Sequence, residues 1–216
     1  NNIPDDFKYL ALAESGLENV TSPSGAKGFW QFLKKTGIEY GLEINNEIDE
    51  RYHLEKSTQS ACQYIKNAFT QFGNWTLAAA SYNMGRTGLN NALELQKVNN
   101  YYDLMLNSET YRYIFRILAI KEIIENYDEY GFHVNSDDYY QLRSTYNLEI
   151  DTSINNVANF SIDIDLNYKT IKQLNPWILS NTILNQNNTK YILKIPTEQS
   201  IYSTNHDTII HICKTK

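Results

Sequence analysis

Residues 4–31 of the chain read PDDFKYLALAESGLENVTSPSGAKGFWQ, and the rest of the fold is interpreted from this segment. Helical spacing of i, i+3, i+4 and i+7 places on one face Phe7, Leu10, Ala11 and Glu14. Gly16 follows as a helix stop, which sets Glu14 at the lip of a cleft. Burial disfavours the charged form of a carboxyl group, so we expect the pKa of Glu14 to be raised. A protonated carboxyl group can act as a general acid, although the same position also suits a side chain whose stem packs and whose head reaches solvent or a basic partner.

Further blocks follow in a fixed order. After Glu14-Ser15-Gly16, residues 22–31 read S-x-x-G-A-x-G-F-W-Q. Four more blocks come later, namely DER at 49–51, NWTLA at 74–78, SYNMG at 81–85, and ET followed by Tyr at 109–113. Together they resemble the goose-type lysozyme and soluble lytic transglycosylase (SLT) family over roughly residues 3–125. The resemblance implies a lysozyme-like, all-helical catalytic domain with Glu14 as general acid/base.

The same resemblance implies substrate-binding roles for five side chains, Ser22, Gln31, Tyr82, Asn83 and Glu109. Ser22 would hydrogen-bond the acyl or peptide region of the reacting sugar, and Gln31 would bind the glycan. Tyr82 would orient the acid or the developing oxocarbenium ion, while Asn83 would support the cleft floor or a sugar amide. Glu109 would fix the sugar subsites across the groove. Without the resemblance, ordinary roles remain open: a loop hydroxyl for Ser22, a core tyrosine for Tyr82, and a helix-start acid for Glu109.

The loop residues of these blocks have expected structural roles. The resemblance implies that Gly25 and Gly28 bring backbone close to the sugar chain, an approach that glycine permits. The resemblance makes Asp49 and Arg51 a structural clamp in the polar segment 43–56.

Helix signals continue along the first 130 residues. The predicted helices run over 29–40, from an N-cap at Ser57 to Gly73, from an N-cap at Asn74 to Gly85, over 89–97, and from an N-cap at Ser108 to Gly131. The predicted fold class is therefore mainly α, and α+β overall once the C-terminal part is included.

The C-terminal part has a different pattern. A strand, two helices and a strand within 147–198 resemble a LysM-like module, a type that binds N-acetylglucosamine-containing polymers. NTILNQNNTK, residues 181–190, stands where that module usually has a tight turn, so glycan binding and a spacer role both remain open. The expected domains are a catalytic domain at 1–132, a connector at 133–146, the degenerate module at 147–198 and a tail at 199–216.

The composition disfavours some classes of binding partner. The net charge of −6 argues against a general nucleic-acid binder and against a protein that binds anionic membrane surfaces. The four histidines have no metal-ligand spacing, and we expect no metal or cofactor. We expect a monomer in the bacterial envelope, periplasmic or outer-membrane-anchored, with peptidoglycan glycan strands as partner. Membrane attachment is expected only through an N-terminal lipid anchor upstream of these residues.

Three functions remain in competition. A lytic transglycosylase, which leaves 1,6-anhydromuramyl ends, needs only one glutamate because the sugar's own 6-hydroxyl is the nucleophile. A goose-type hydrolase of the same glycan must activate a water molecule, commonly with a second carboxylate. A non-catalytic peptidoglycan binder would have no use for a desolvated carboxyl group at Glu14.

Overall fold

The computed structural model describes residues 1–197 of this 216-residue chain. Over these residues it contains eight α-helices and one two-stranded sheet. Contacts divide the chain into two compact units. The first unit comprises Asn1–Ile44 and Asp49–His133, and the second comprises Asn45–Ile48 and the described residues from Val134 onward. The predicted tail, residues 199–216, lies outside the described residues.

The first unit is helical, as predicted. Its helices are α1 (Phe7–Ser15), α2 (Lys34–Glu39), α3 (Leu54–Phe72), α4 (Trp75–Met84), α5 (Arg86–Gln96) and α6 (Ser108–Glu125). Single 3₁₀ turns occupy Glu50–Tyr52 and Tyr101–Asp103. Helix α4 packs against α3, α5 and α6, and α1 packs against α6. The small residues Ala78 and Ala80 are fully buried on α4, which lets the neighbouring helices approach closely.

Several predicted helix ends are confirmed. Gly16 and Gly73 each end a helix in the left-handed conformation, with φ of 64° at both positions. The side chain of Asn74 caps α4 by accepting hydrogen bonds from the backbone amides of Thr76 and Leu77 at 2.8 and 3.1 Å. Gly85 separates α4 from α5.

Other predicted boundaries are wrong. The helix predicted over 29–40 is only Lys34–Glu39, because Gln31 takes a left-handed φ of 48° within an irregular segment. Helix α3 starts at Leu54, so Ser57 is not its cap. Helix α5 starts at Arg86, where the prediction began at Leu89.

Helix α6 differs from the prediction at both ends. Its cap is Asn107, whose side chain accepts hydrogen bonds from the amides of Glu109 and Thr110. The helix ends at Glu125 and does not reach Gly131. Residues 126–131 are exposed or half-exposed, so extending the helix over them would bury little apolar surface to repay its entropic cost.

A buried ion pair holds the loop that precedes α2. The Arg51 guanidinium donates to both carboxylate oxygens of Asp49 at 2.8 and 2.7 Å. Its remaining nitrogen donates to the backbone carbonyls of Gly25 and Phe32 at 3.1 and 3.2 Å. Burial alone would raise the pKa of Asp49, but the hydrogen bonds and charge of Arg51 lower it on balance. The arrangement has the geometry of the clamp that the sequence resemblance implied.

Gly28 packs against this clamp. A Cβ at Gly28 would lie 1.9 Å from the carbonyl oxygen of Arg51, and the residue has a φ of 77°. The close approach expected between this glycine and a sugar is therefore an approach to protein backbone. Gly25 has a φ of 81°, and a Cβ there would meet nothing within 4 Å.

The second unit has the predicted order of strand, helix, helix and strand. Strand β1 (Thr145–Ile150) pairs antiparallel with β2 (Tyr191–Pro196), and between them lie α7 (Val157–Asp163) and α8 (Tyr168–Leu174). The core of this unit is formed by buried side chains of Val157, Ile171, Trp177, Ile178, Ile183 and Leu193.

The buried amide of Asn175 joins α8 to the sheet. Its nitrogen donates to the carbonyls of Ile171 and Lys194, each at 3.0 Å, and its oxygen accepts from the amide of Lys194 at 2.8 Å. These three bonds satisfy a polar group that is fully buried.

Candidate active site

A cleft of about 480 Å³ opens in the first unit. Its walls come from the C-terminal end of α1, the loop before α2, the C-terminal end of α4, and the first turns of α6. The lining includes all six residues that the sequence nominated, which are Glu14, Ser22, Gln31, Tyr82, Asn83 and Glu109. Residues from four separate parts of the sequence therefore meet at one surface.

Glu14 is half-buried near the end of α1, and it accepts a hydrogen bond from the Tyr113 hydroxyl of α6. Burial raises the pKa of Glu14 above its ordinary value of 4.5, as the apolar stripe predicted. The negative charge of Glu109 raises that pKa further, whereas the Tyr113 hydrogen bond and the charge of Arg116 oppose the rise. The carboxyl group is thus held protonated to a higher pH than a solvated glutamate.

Tyr113 is the site residue whose role the sequence reasoning missed. The sequence analysis assigned it no role at the site, although the block ET followed by Tyr at 109–113 contained the signal. Burial, and then the charge of Glu14, raise the pKa of this phenol well above its ordinary value. Tyr113 therefore stays protonated and remains a hydrogen-bond donor to one carboxyl oxygen of Glu14.

Tyr82 lines the cleft, but its hydroxyl donates to the carbonyl of Trp30 at 2.8 Å. In this structure, then, Tyr113 is the tyrosine that bonds Glu14, and Tyr82 holds the loop that precedes α2. Burial raises the pKa of Tyr82 well above its ordinary value, so this phenol is neutral as well.

Two other nominated side chains are engaged within the cleft loop. The Ser22 hydroxyl accepts from the amide of Ala26 at 3.0 Å and lies 2.9 Å from the Ser24 hydroxyl. The side-chain nitrogen of Gln31 donates to the carbonyls of Gly28 and Val20 at 2.7 and 3.2 Å. Both residues stabilise the loop that they present to the cleft.

Asn83 and Glu109 form a polar link between α4 and α6. The amide nitrogen of Asn83 donates to Glu109 at 3.2 Å, and its oxygen accepts from the Thr110 hydroxyl at 2.8 Å. Asn83 is thereby fixed on both sides, and Glu109 keeps an exposed position in the cleft.

The carboxylates of the cleft are few. Among the described residues, Glu14 and Glu109 are the acidic side chains that line it. Asp49 and Glu50 are buried elsewhere, paired with Arg51 and Lys56 respectively.

No group of three His, Cys, Asp or Glu side chains in residues 1–197 is arranged to hold a metal ion. Over the same residues, no helix has the length and apolarity needed to cross a bilayer.

Two known protein families match this chain, one in each part of the sequence. Residues 1–105 match the transglycosylase SLT domain, and residues 146–199 match the soluble lytic transglycosylase C-terminal LysM-like domain. Residues 1–105 are thus similar to an SLT domain, and residues 146–199 are similar to a LysM-like domain.

Two curated relatives are similar to this chain. Membrane-bound lytic murein transglycosylase D of Escherichia coli (strain K12) is 30% identical over 143 residues, which cover 63% of this chain and 32% of that protein. The protein of the same name from Escherichia coli O6:H1 gives the same figures. This chain therefore spans about a third of the length of the curated relatives it matches.

Proposed function

We propose that this protein is a peptidoglycan lytic transglycosylase that cleaves the β-1,4 bond between N-acetylmuramic acid and N-acetylglucosamine. Glu14 acts as the single general acid/base, and the products end in 1,6-anhydromuramyl groups. The observation that carries this proposal is the Glu14 carboxyl group, half-buried in the cleft of an SLT domain, with a raised pKa and a hydrogen bond from Tyr113. The names of the E. coli relatives support the same substrate and reaction.

The reaction runs in two proton transfers on one carboxyl group. Tyr113 donates to one oxygen of Glu14, so the acidic proton resides on the other oxygen. Glu14 gives this proton to the glycosidic oxygen as the bond from that oxygen to C1 of the muramyl residue breaks. The resulting carboxylate then removes the proton of the 6-hydroxyl as O6 bonds to C1, which closes the anhydro ring and restores protonated Glu14.

The remaining side chains of the cleft bind and position the glycan in this proposal. Ser22 and Gln31 present the loop to the sugar chain, and Asn83 with Glu109 fixes the sugar subsites on the opposite wall. Tyr82 sets the position of the loop through Trp30 and is itself part of the cleft lining.

A hydrolase is the second candidate, and one observation favours it: Glu109 lines the same cleft as Glu14. A second carboxylate could activate a water molecule. The link from Asn83 to Glu109 supports a binding role instead, because it engages one oxygen of that carboxylate.

Single substitutions distinguish these candidates. Glu14→Gln keeps the shape of the side chain, so we expect normal folding and glycan binding with no cleavage of peptidoglycan. Glu109→Gln should retain cleavage with weakened substrate binding, whereas a hydrolase that uses Glu109 as base would lose turnover. Glu18→Gln, an exposed position on the same segment as Glu14 and outside the cleft, is the control and should be fully active. Full peptidoglycan-cleaving activity in the Glu14→Gln variant would refute the proposal.

We propose further that the protein works as a monomer in the bacterial cell envelope, where its glycan substrate is found. Residues 1–132 would form the catalytic domain. Residues 147–198 would form a LysM-like module that either holds the glycan or acts as a spacer. A pull-down of the protein on insoluble peptidoglycan, with and without residues 133–216, measures the contribution of the module.

A further inference from the structure

Helix α6 presents three charged or polar side chains to the cleft at i, i+4 and i+7, namely Glu109, Tyr113 and Arg116. Glu109 is bonded to Asn83, and Tyr113 is bonded to Glu14. Arg116 is different. Over residues 1–197, no carboxylate lies within ion-pair distance of its guanidinium, and no hydrogen bond holds it. A full positive charge is therefore presented to the cleft with its donors available.

The other arginines of the helical unit have partners within the protein and do not line the cleft. Arg51 is buried in its pair with Asp49. Arg86 lies 3.8 Å from Glu39 and 5.7 Å from the ring of Tyr64. Arg112, one turn before Arg116 on the same helix, donates to the carbonyl of Ser108 at 3.0 Å. Among the described residues, Arg116 is the cation that lines the cleft.

The chemistry of the cleft indicates what this cation is for. Glu14 and Glu109 give the site a negative potential whenever they are ionised, which opposes the entry of an anionic ligand. A neutral sugar polymer needs no cation, since hydroxyl and acetamido groups are bound by hydrogen bonds and aromatic faces. A muramyl residue, in contrast, carries a lactyl ether whose carboxyl group is either free or amide-linked to a peptide that has carboxylates of its own. Guanidinium groups bind carboxylates through two parallel hydrogen bonds.

We propose that Arg116 binds a carboxylate carried by the muramyl residues of the glycan, and so selects muramyl-containing strands over neutral polymers of N-acetylglucosamine. The inference rests on the proposed function, because it names the substrate feature read by the same cleft. The lactyl group and the peptide stem share the chemistry required, and ligands that differ in these groups separate them.

The test measures binding in the Glu14→Gln background, where the proposed mechanism allows no cleavage, by calorimetric titration. The ligands are soluble strands with peptide stems, stem-free strands with a free lactyl carboxylate, stem-free strands whose lactyl carboxyl is converted to an amide, and a neutral chitooligosaccharide. Adding Arg116→Gln should lower the affinity for the carboxylate-bearing ligands by about tenfold or more, as expected for loss of a charge-assisted hydrogen bond. Affinity for the neutral ligands should stay within about twofold.

Three further measurements sharpen the result. Arg112→Gln removes the same charge one turn away, outside the cleft, and should leave all affinities unchanged. Arg116→Lys should restore part of the affinity, because it keeps the charge and loses the bidentate geometry. Rising salt should lower the affinity for carboxylate-bearing strands. The decrease should be larger for the protein that has Arg116 than for the Arg116→Gln variant, because salt screens exposed charges.

The outcomes separate cleanly. A loss seen with stem-free, free-carboxylate strands assigns the lactyl group, and a loss confined to stem-bearing strands assigns the peptide. Equal losses for neutral and charged ligands, or no loss at all, overturn the inference while the proposed function stands. If the Glu14→Gln protein binds none of the four ligands, the proposed function fails as well.

Discussion

Tyr113→Phe is the substitution that probes the geometry of the site most closely, since it removes one hydroxyl and keeps the ring. The hydroxyl is a permanent donor to Glu14, and its hydrogen bond lowers the pKa of that carboxyl group against the effect of burial. Without it, the pKa of Glu14 rises further. Because Glu14 must be protonated to donate to the glycosidic oxygen, the alkaline limb of the kcat/KM profile should move to higher pH.

The magnitudes follow from the kind of bond that is lost. A hydrogen bond to an ionised group stabilises a protein by about 1.5–3 kcal/mol, and one between neutral groups by about 1 kcal/mol. The destabilisation by Tyr113→Phe should therefore be larger above the pKa of Glu14 than below it. At about 2 kcal/mol, Tm falls by about 4–8 °C for a chain of this size. We expect kcat to fall by about tenfold to a hundredfold, less than in Glu14→Gln, because the acid remains but is poorly oriented.

The assay is turnover of soluble muramyl-containing oligosaccharides as a function of pH, paired with thermal unfolding at the same pH values. Tyr101→Phe is the matched control. Its hydroxyl is also bonded in the interior, to the carbonyls of Thr110 and Tyr111 at 2.8 and 2.6 Å, but it does not line the cleft. This control should lose stability without moving the pH profile. An unchanged or downward-shifted alkaline limb in Tyr113→Phe would refute the role assigned to the hydroxyl.

Three further substitutions test the structure in unfolding experiments. Gly28→Ala should destabilise the protein by more than the ~1–2 kcal/mol cost of an alanine in the left-handed conformation, because its Cβ would clash with the Arg51 carbonyl. Gly16→Ala is the control, since a Cβ there meets nothing within 4 Å. Equal losses of stability in the two variants would contradict the packing of Gly28. Asp49→Asn should cost about 3–5 kcal/mol at neutral pH. This loss should be complete above the ordinary pKa of 3.8 and shrink as pH falls through the lowered pKa of the folded protein; a pH-independent loss would contradict the ion pair. Asn175→Ala should destabilise the second unit by about 3 kcal/mol, and a neutral effect would contradict its buried hydrogen bonds.

The features that sequence reasoning predicted correctly depend on neighbouring residues. Gly16 and Gly73 end their helices because a left-handed residue is needed there, and Asn74 caps α4 through amides two and three residues away. The strand and helix order of the second unit follows from alternating apolar residues and from asparagine caps at Asn156 and Asn167. Each of these signals lies within one or two turns of the element that it determines.

The features that were missed depend on contacts across the chain. The segment around Gln31 looked helical, but the Arg51 clamp and the hydroxyl of Tyr82 hold its carbonyls in another conformation. The bond from Tyr113 to Glu14 joins residues 99 positions apart, so no spacing rule could pair them. The six predicted site residues line one cleft. The family resemblance could identify them together because a family motif contains residues that are close in the fold, whereas helical periodicity relates only residues that are close in sequence.

Mass spectrometry of the products released from peptidoglycan sacculi decides whether Glu14 works alone with the sugar's own hydroxyl as nucleophile. We expect fragments that end in 1,6-anhydro-N-acetylmuramic acid, and no release by the Glu14→Gln variant. Fragments with reducing ends, each heavier by one water molecule, would refute the single-glutamate mechanism and would make Glu109 the first candidate for a water-activating base.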